Sequence, residues 1–170
     1  MAFILIDGYN LIGTAHKNLK KARNDLIEKL CKYSELRKHG ITIVFDGWKS
    51  GQAAETKFRI NDVNIVYSRL GEKADLVIKK ILSKHTRPWI VVSSDREISD
   101  FAYRKDFTPL TAEEFERKLF SVLSASGHGE EGELVDYDGE DLDIKPVRQK
   151  GNPRKPSKRQ KKKLQALKKL

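Results

Sequence analysis

The stretch that most limits what this chain can become is its opening, M-A-F-I-L-I-D-G-Y-N at residues 1–10. Five apolar residues, Ala2 to Ile6, run without polar interruption and stop at Asp7-Gly8. A short run of that kind, closed by a turn dipeptide, fits a strand covered on both faces. Doubly covered strands belong to open parallel sheets, which place their ligands at the carboxyl ends of the strands. Asp7 is delivered to that place. Its competing local role is to cap the turn or helix that follows.

The pattern recurs along the chain. Asn10-Leu11-Ile12 begins a short helical turn. Ala22, Leu26, Ile27, Leu30, Cys31 and Leu36 then recur at helical spacing from about Lys21 to His39, and Gly40 ends that helix. Ile41–Phe45 is a second strand and also ends in Asp-Gly, at Asp46-Gly47. Strand, helix and strand, with an aspartate at the same end of each strand, describe a right-handed βαβ unit.

Residues 48–62 lack periodicity and are read as a loop with one helical turn near Glu55 to Arg59. Val63–Tyr67 is a third strand, nearer a sheet edge. A helix follows from about Glu72 to Lys84, with Ala74, Leu76, Val77, Ile78, Ile81 and Leu82 facing inward. Trp89–Val92 is a fourth strand. Ser94 with Glu97, and Thr111 with Glu114, have capping-box spacing and open two further helices, the second running through Phe115, Leu119, Phe120 and Leu123. Phe107–Leu110 makes a minor fifth strand between them.

Composition changes sharply after this point. Residues 127–144 hold eight acidic residues and no Lys or Arg, whereas residues 145–170 hold twelve basic residues and no acid. Blocks of like charge with Gly and Pro are expected to be disordered. The reading is a folded domain at 1–126, an acidic linker at 127–144 and a basic tail at 145–170. Leu164, Leu167 and Leu170 lie three apart, so the end of the tail can form an amphipathic helix on a partner. The acidic stretch can fold back and mask the tail, and a plain solubility role is the bland alternative.

The net charge of +10 points to a polyanionic partner, foremost nucleic acid. A single cysteine, Cys31, rules out an intramolecular disulfide and any Cys-rich zinc site. The opening run lacks a basic lead-in and is broken by Asp7, unlike a signal peptide. No apolar run approaches the roughly 20 residues that span a bilayer. A cytoplasmic protein is expected.

Four carboxylates fall at equivalent places. Asp7, Asp46 and Asp95 follow strands one, two and four, and Asp75 lies in the first turn of the helix after strand three. Each has a local explanation: a helix dipole for Asp75, a capping box for Asp95, a turn for Asp46. All four at one sheet edge are harder to explain locally, because clustered carboxylates repel and need a cation to coexist. Oxygen donors without Cys or His suit Mg²⁺ or Mn²⁺. Beside a basic surface, that set points to metal-assisted phosphodiester hydrolysis.

I-D-G-Y-N-L-I (6–12), V-F-D-G (44–47), G-E-K-A-D (71–75) and V-S-S-D-R-E (92–97) together resemble the YacP-like branch of the NYN domains, within the PIN-like nucleases. The resemblance covers roughly residues 1–125 and leaves the basic tail outside. It implies a three-layer α/β/α fold with a mainly parallel sheet and a metal-dependent endoribonuclease. Carried over, Asp7, Asp75 and Asp95 are the core metal carboxylates, Asp46 a fourth acting through water, and Asn10 orients Asp7 or the phosphate. Where many relatives have Thr-Ser-Asp, this chain has Ser93-Ser94-Asp95, which keeps the hydroxyl.

Arg69, Lys73 and Arg96 flank the carboxylates and are candidates for RNA phosphates, as are Arg154, Lys155, Lys158, Arg159, Lys161, Lys162 and Lys163 in the tail. A solvated charged face is the alternative for the first three. Tyr9 and Trp48 are candidates for base stacking, with packing the stronger reading for Tyr9. The four histidines receive no role, and Trp89 is read as core. RNA, messenger or ribosomal, is the expected partner, with the ribosome a further one. The rival reading is a non-catalytic RNA- or ribosome-binding protein on the same fold. An aspartate-nucleophile phosphatase ranks below both, because no second acid stands two residues after Asp7.

Overall fold

The computed structural model describes residues 1–13, 18–47, 54–84, 87–127 and 156–170. Strand β1 (Phe3–Asp7) lies near the middle of a six-stranded sheet. The other strands are β2 (Gly40–Phe45), β3 (Thr56–Ile60), β4 (Val63–Tyr67), β5 (Trp89–Val92) and β6 (Thr108–Leu110), in the order β3-β4-β2-β1-β5-β6. All neighbours are parallel except β3 and β4. The helices are α1 (Gly8–Ile12), α2 (Leu19–Arg37), α3 (Ala74–Lys84), α4 (Arg96–Arg104), α5 (Ala112–Ala125) and α6 (Lys158–Lys169).

Alternation along β1 sorts the core into two halves. Ile4 and Ile6 meet Leu30 and Tyr33 of α2, Leu11 of α1 and Phe115 and Leu119 of α5. Leu5 faces the other way, among Val77, Ile78 and Leu82 of α3 and Ile98 and Ala102 of α4. The result is three layers, and the doubly apolar opening run is what such a sheet requires of a central strand. Leu76 and Phe120, inward by spacing, instead stand about half exposed at 51% and 55%.

Beyond β2 the structure departs from the sequence expectation. Residues 56–60 form the antiparallel edge strand β3, not a helical turn, paired from Thr56↔Tyr67 to Ile60↔Val63. The turn is Asn61-Asp62, with Asn61 at φ 51, a left-handed conformation that asparagine tolerates. Lys57 and Arg59 on this edge discourage pairing with another chain.

The end of the chain differs as well. Residues 128–155, which include most of the acidic stretch, lie outside the described residues. Residues 158–169, expected to be disordered or to fold on a partner, form α6 on the domain itself. Ser157 and Gln160 close a capping box at its start. Ala166 and Leu170 are buried in the same cluster as Tyr33 and Phe115, and Leu167 packs against it. The Tyr33 hydroxyl donates to the Leu170 carbonyl at 3.0 Å. Charge pairs finish the contact: Lys162 with Asp106, Lys163 with Glu114 at 2.6 Å, and Arg159 with Asp100 at 4.0 Å. Of the expected stripe Leu164, Leu167 and Leu170, the last two meet the core while Leu164 stays exposed among the seven Lys or Arg residues of α6.

Candidate nuclease site at the carboxyl edge of the sheet

The chain runs from β1 to β2 and β4 on one side and reaches β5 and β6 on the other. The carboxyl end of β1 is therefore the topological switch point, where open α/β sheets leave a crevice. Asp7 ends β1 and caps α1, its Oδ1 accepting the Asn10 backbone N–H at 3.2 Å. Gly8 beside it has no room for a side chain, since a Cβ there would lie 2.2 Å from the Phe45 ring. The Asp-Gly pair thus lets α1 sit directly on the end of β2.

The other three carboxylates arrive on separate elements. Asp46 follows β2, and its Oδ1 accepts the backbone N–H of Ala74, the first residue of α3. Asp75 occupies the first turn of α3. Asp95 caps α4, accepting from the N–H groups of Glu97 at 2.6 Å and Ile98 at 3.3 Å. The cap is Asp95, not Ser94, because a carboxylate accepts two backbone donors with charge assistance. Ser94 has other partners: its hydroxyl accepts from Ala112 N–H at 3.1 Å, and its own N–H donates to Asn10 Oδ1 at 2.7 Å. Asn10 therefore reaches Asp7 through its backbone, and its side chain ties α1 to the loop after β5.

Of the further supports of this edge, the sequence marked only the hydroxyl kept in Ser93-Ser94-Asp95. The Ser93 hydroxyl, 1% exposed, donates to Asp7 Oδ2 at 3.5 Å and accepts from the Asp95 N–H at 3.1 Å. Ser68 does similar work across the crevice, accepting from Gly47 N–H at 2.9 Å and donating to the Glu72 carbonyl at 2.5 Å. The Glu72 carboxylate is itself buried against Lys80 and Arg69, and the Lys80 hydrogen bond leads in holding it below its usual range. Gly71, at φ +80, supplies the turn before them. Only the unusual burial of small polar side chains betrays these roles, and a single sequence does not display burial.

Electrostatically, the carboxylates share one field. Burial pushes the Asp7 carboxyl up to about 6; the Asn10 N–H lowers it, Asp75 and Asp46 raise it further, and Ser93 opposes them. Asp75 is raised by burial and then by Asp95 and Asp46, against Lys79 and Lys73. Asp75 is thus the link among the four, coupled to Asp7, Asp46 and Asp95, while Asp46 also acts on Asp7. The donor chemistry fits a hard divalent cation, being oxygen only. Cys31 lies instead by the Ile60 carbonyl, and His39 by Ala2 at the opposite sheet edge. The spacing does not make a finished cage: among the described residues no three His, Cys, Asp or Glu side chains come together as a metal-binding group.

The candidate phosphate contacts separate into groups. Arg69 is engaged with Glu72 at 3.3 Å. Lys73 is exposed beside Asp75, and Arg96, 95% exposed, stands 3.9 Å from Asp100. In α6, Arg159, Lys162 and Lys163 are paired with the domain's own acids, while Lys158 and Lys161 remain exposed. Arg154, Lys155 and Trp48 lie outside the described residues. Tyr9 packs edge-on against Phe45 at 5.4 Å.

Fold and edge together define an α/β protein with acidic side chains gathered at a switch point, the class to which PIN-like nucleases belong. The profile of the YacP-like NYN domain matches residues 4–169, and the chain belongs to that family. The match extends through α6, so the basic C-terminal helix falls within the family pattern. The chain is similar in fold to the crystal structure of Rae1 (YacP) from Bacillus subtilis, at 23% identity and TM-score 0.58, over 75% of this chain and 78% of that one. The W164L mutant of the same protein matches at 21% identity and TM-score 0.59, over 72% and 77%. No curated protein matches the chain. Among the described residues no helix is long and apolar enough to cross a membrane.

Proposed function

We propose that this protein is a metal-dependent endoribonuclease that hydrolyses RNA phosphodiester bonds at the edge formed by Asp7, Asp46, Asp75 and Asp95. The observation that carries the reading is the shared field of these carboxylates: a buried Asp7 raised to about 6, with no basic side chain among the groups that act on it. Such an arrangement is unfavourable unless a proton or a cation compensates it. Mg²⁺ or Mn²⁺ would be held by Asp7, Asp75 and Asp95, with Asp46 as an outer carboxylate, and would supply an activated water and charge neutralisation at the leaving oxygen.

The chain's own residues do the rest. Ser93 and the Asn10 N–H hold the two oxygens of Asp7 in fixed directions. Asp46 and Asp95 each use one oxygen to hold a helix start and keep the other for the site. Lys73 and Arg96 stand exposed where an RNA phosphate would approach. RNA on the ribosome is one substrate pool within this reading, and the cytoplasm its setting. The experiment is cleavage of RNA by purified protein with Mg²⁺ or Mn²⁺, beside Asp7→Asn; turnover that needs metal and Asp7 is expected.

The second reading is an RNA- or ribosome-binding protein without catalysis. It is favoured by the lack of a closed three-ligand group among the described residues and by the helix-capping duties of Asp46 and Asp95. Binding without cleavage under either metal, with ribosomes supplied, would decide for it.

A further inference from the structure

The sheet face that carries α3 is apolar near the carboxylates and polar below them. Val44 and Val66 are buried under α3. Two residues earlier on the same face stand Thr42 and Asn64, paired in register. With Arg59 of β3 beside them, they floor a cavity of about 390 Å³. A strand face meant to lie under a helix would not carry Thr, Asn and Arg in neighbouring places.

Charge and ring geometry say what this trough is suited to take. Lys38, Arg59 and Arg87 line it against a single acid, Asp62, which pairs with Arg59 at 2.9 Å. That exposed pair is weak and exchangeable for a phosphate. One wall is a stack: the Arg87 guanidinium lies 4.8 Å from the centroid of the Phe3 ring, which meets Trp89 edge-on at 5.9 Å. Arg on an aromatic ring is a surface on which an unpaired base stacks, and the volume falls in the usual range for a small-ligand site.

We propose that this trough binds one nucleotide of an RNA strand, its phosphate among Lys38, Arg59 and Arg87 and its base on the Arg87–Phe3 stack. The trough lies at the amino ends of the strands, about 17 Å from the carboxylates for five residues of strand. It is therefore a flanking subsite for the strand whose cleavage is proposed above, and it rests on that reading for its substrate. A dinucleotide spans only one bond and does not reach both places.

The test uses the full chain with chelator present, so that RNA stays whole. The Trp89 indole N–H resonance is followed while uridine monophosphate, a dinucleotide or an oligouridylate is added. Lys38→Asn with Arg87→Gln removes two charges, and asparagine suits the left-handed backbone at residue 38 (φ 52). The oligonucleotide should shift the indole resonance. In the double variant its affinity should fall about tenfold, and the log–log salt slope should shrink by about 0.7, the value for one phosphate contact. With metal restored, dinucleotide turnover should not change. An oligonucleotide that leaves the indole resonance unmoved overturns the proposal. So does an equal loss for dinucleotide and oligonucleotide, or a mononucleotide that saturates the site and is not displaced by oligonucleotide. Protein that never cleaves but shows the expected binding would refute the enzymatic reading and leave the trough as an RNA site.

Discussion

Asp46 accepts a hydrogen bond from the backbone N–H of Ala74, twenty-eight residues later, and so caps α3 from another strand. One side chain thereby fixes the helix that presents Asp75 and also adds to the charge against Asp75 and Asp7. The two duties separate by substitution. Asp46→Ala should cost about 1 kcal/mol through the lost cap, a fall of roughly 2–4 °C in melting temperature. Asp46→Asn keeps the acceptor and should recover most of that stability while still weakening cation binding. Paired melting curves and metal titrations check both.

Asp7→Asn and Asp75→Asn should each lower RNA cleavage by about 100-fold or more, since charge at the reacting centre is the largest contribution in such sites. The fold should persist, because each change removes repulsion rather than packing. Circular dichroism beside single-turnover cleavage is the measurement, and full activity in both variants would refute the site.

Metal should reverse a stability order. With chelator, Asp95→Asn should melt above the wild type, because the carboxylate that repels Asp75 is gone. The lost charge at the start of α4 opposes this by about 0.3–1 kcal/mol. At a cation concentration about 100 times its dissociation constant, the wild type should gain roughly 2.7 kcal/mol and pass the variant.

His39 should make the docking of α6 sensitive to acid. Its Nδ1 accepts the Ala2 N–H at 3.3 Å, which leaves Nε2–H to donate to the Lys169 carbonyl at 3.1 Å. Tyr33 packs on the ring at 6.0 Å. Burial leads in holding the imidazole below its usual range, opposed by hydrogen bonds to the Lys169 and Lys38 backbone and aided by the Met1 amino group and Arg37. The unfolded chain therefore binds the proton first, and stability should fall as pH drops below about 6.5, the ordinary value. His39→Gln should flatten that fall between neutral and mildly acidic pH in thermal melts.

Removing residues 156–170 should destabilise the domain as well as weaken RNA binding. Loss of α6 exposes Tyr33 and leaves its hydroxyl without the Leu170 carbonyl. Tyr33→Phe alone should cost about 1 kcal/mol. For a clean test of phosphate contacts, Lys158→Glu with Lys161→Glu is the better variant, since both residues are exposed. It should reduce RNA affinity and salt dependence with the melting temperature unchanged.

The central strands were legible because β1, β2 and β5 are doubly covered, so their apolar runs need no partner to be recognised. Asp7, Asp46 and Asp95 were legible as residues that end those runs. β3 was not, because four of its five residues are exposed at a sheet edge and carry no burial signal. The Ser93 and Ser68 bridges, the Glu72 ion pair and the role of His39 depend on contacts between distant segments, for which local spacing gives no cue. In α6 the apolar stripe was visible, but the surface it covers was not.

The contact between Tyr33 and Leu170 spans 137 positions, whereas the four carboxylates all lie within residues 7–95. During synthesis from the amino end, every strand and helix that bears an aspartate emerges before α6 exists. Long-range closure comes late in folding because its loop entropy must be overcome first. A nascent chain can therefore assemble its acidic edge while one side of the core is still open, and the final helix acts as the closing piece of an edge already built.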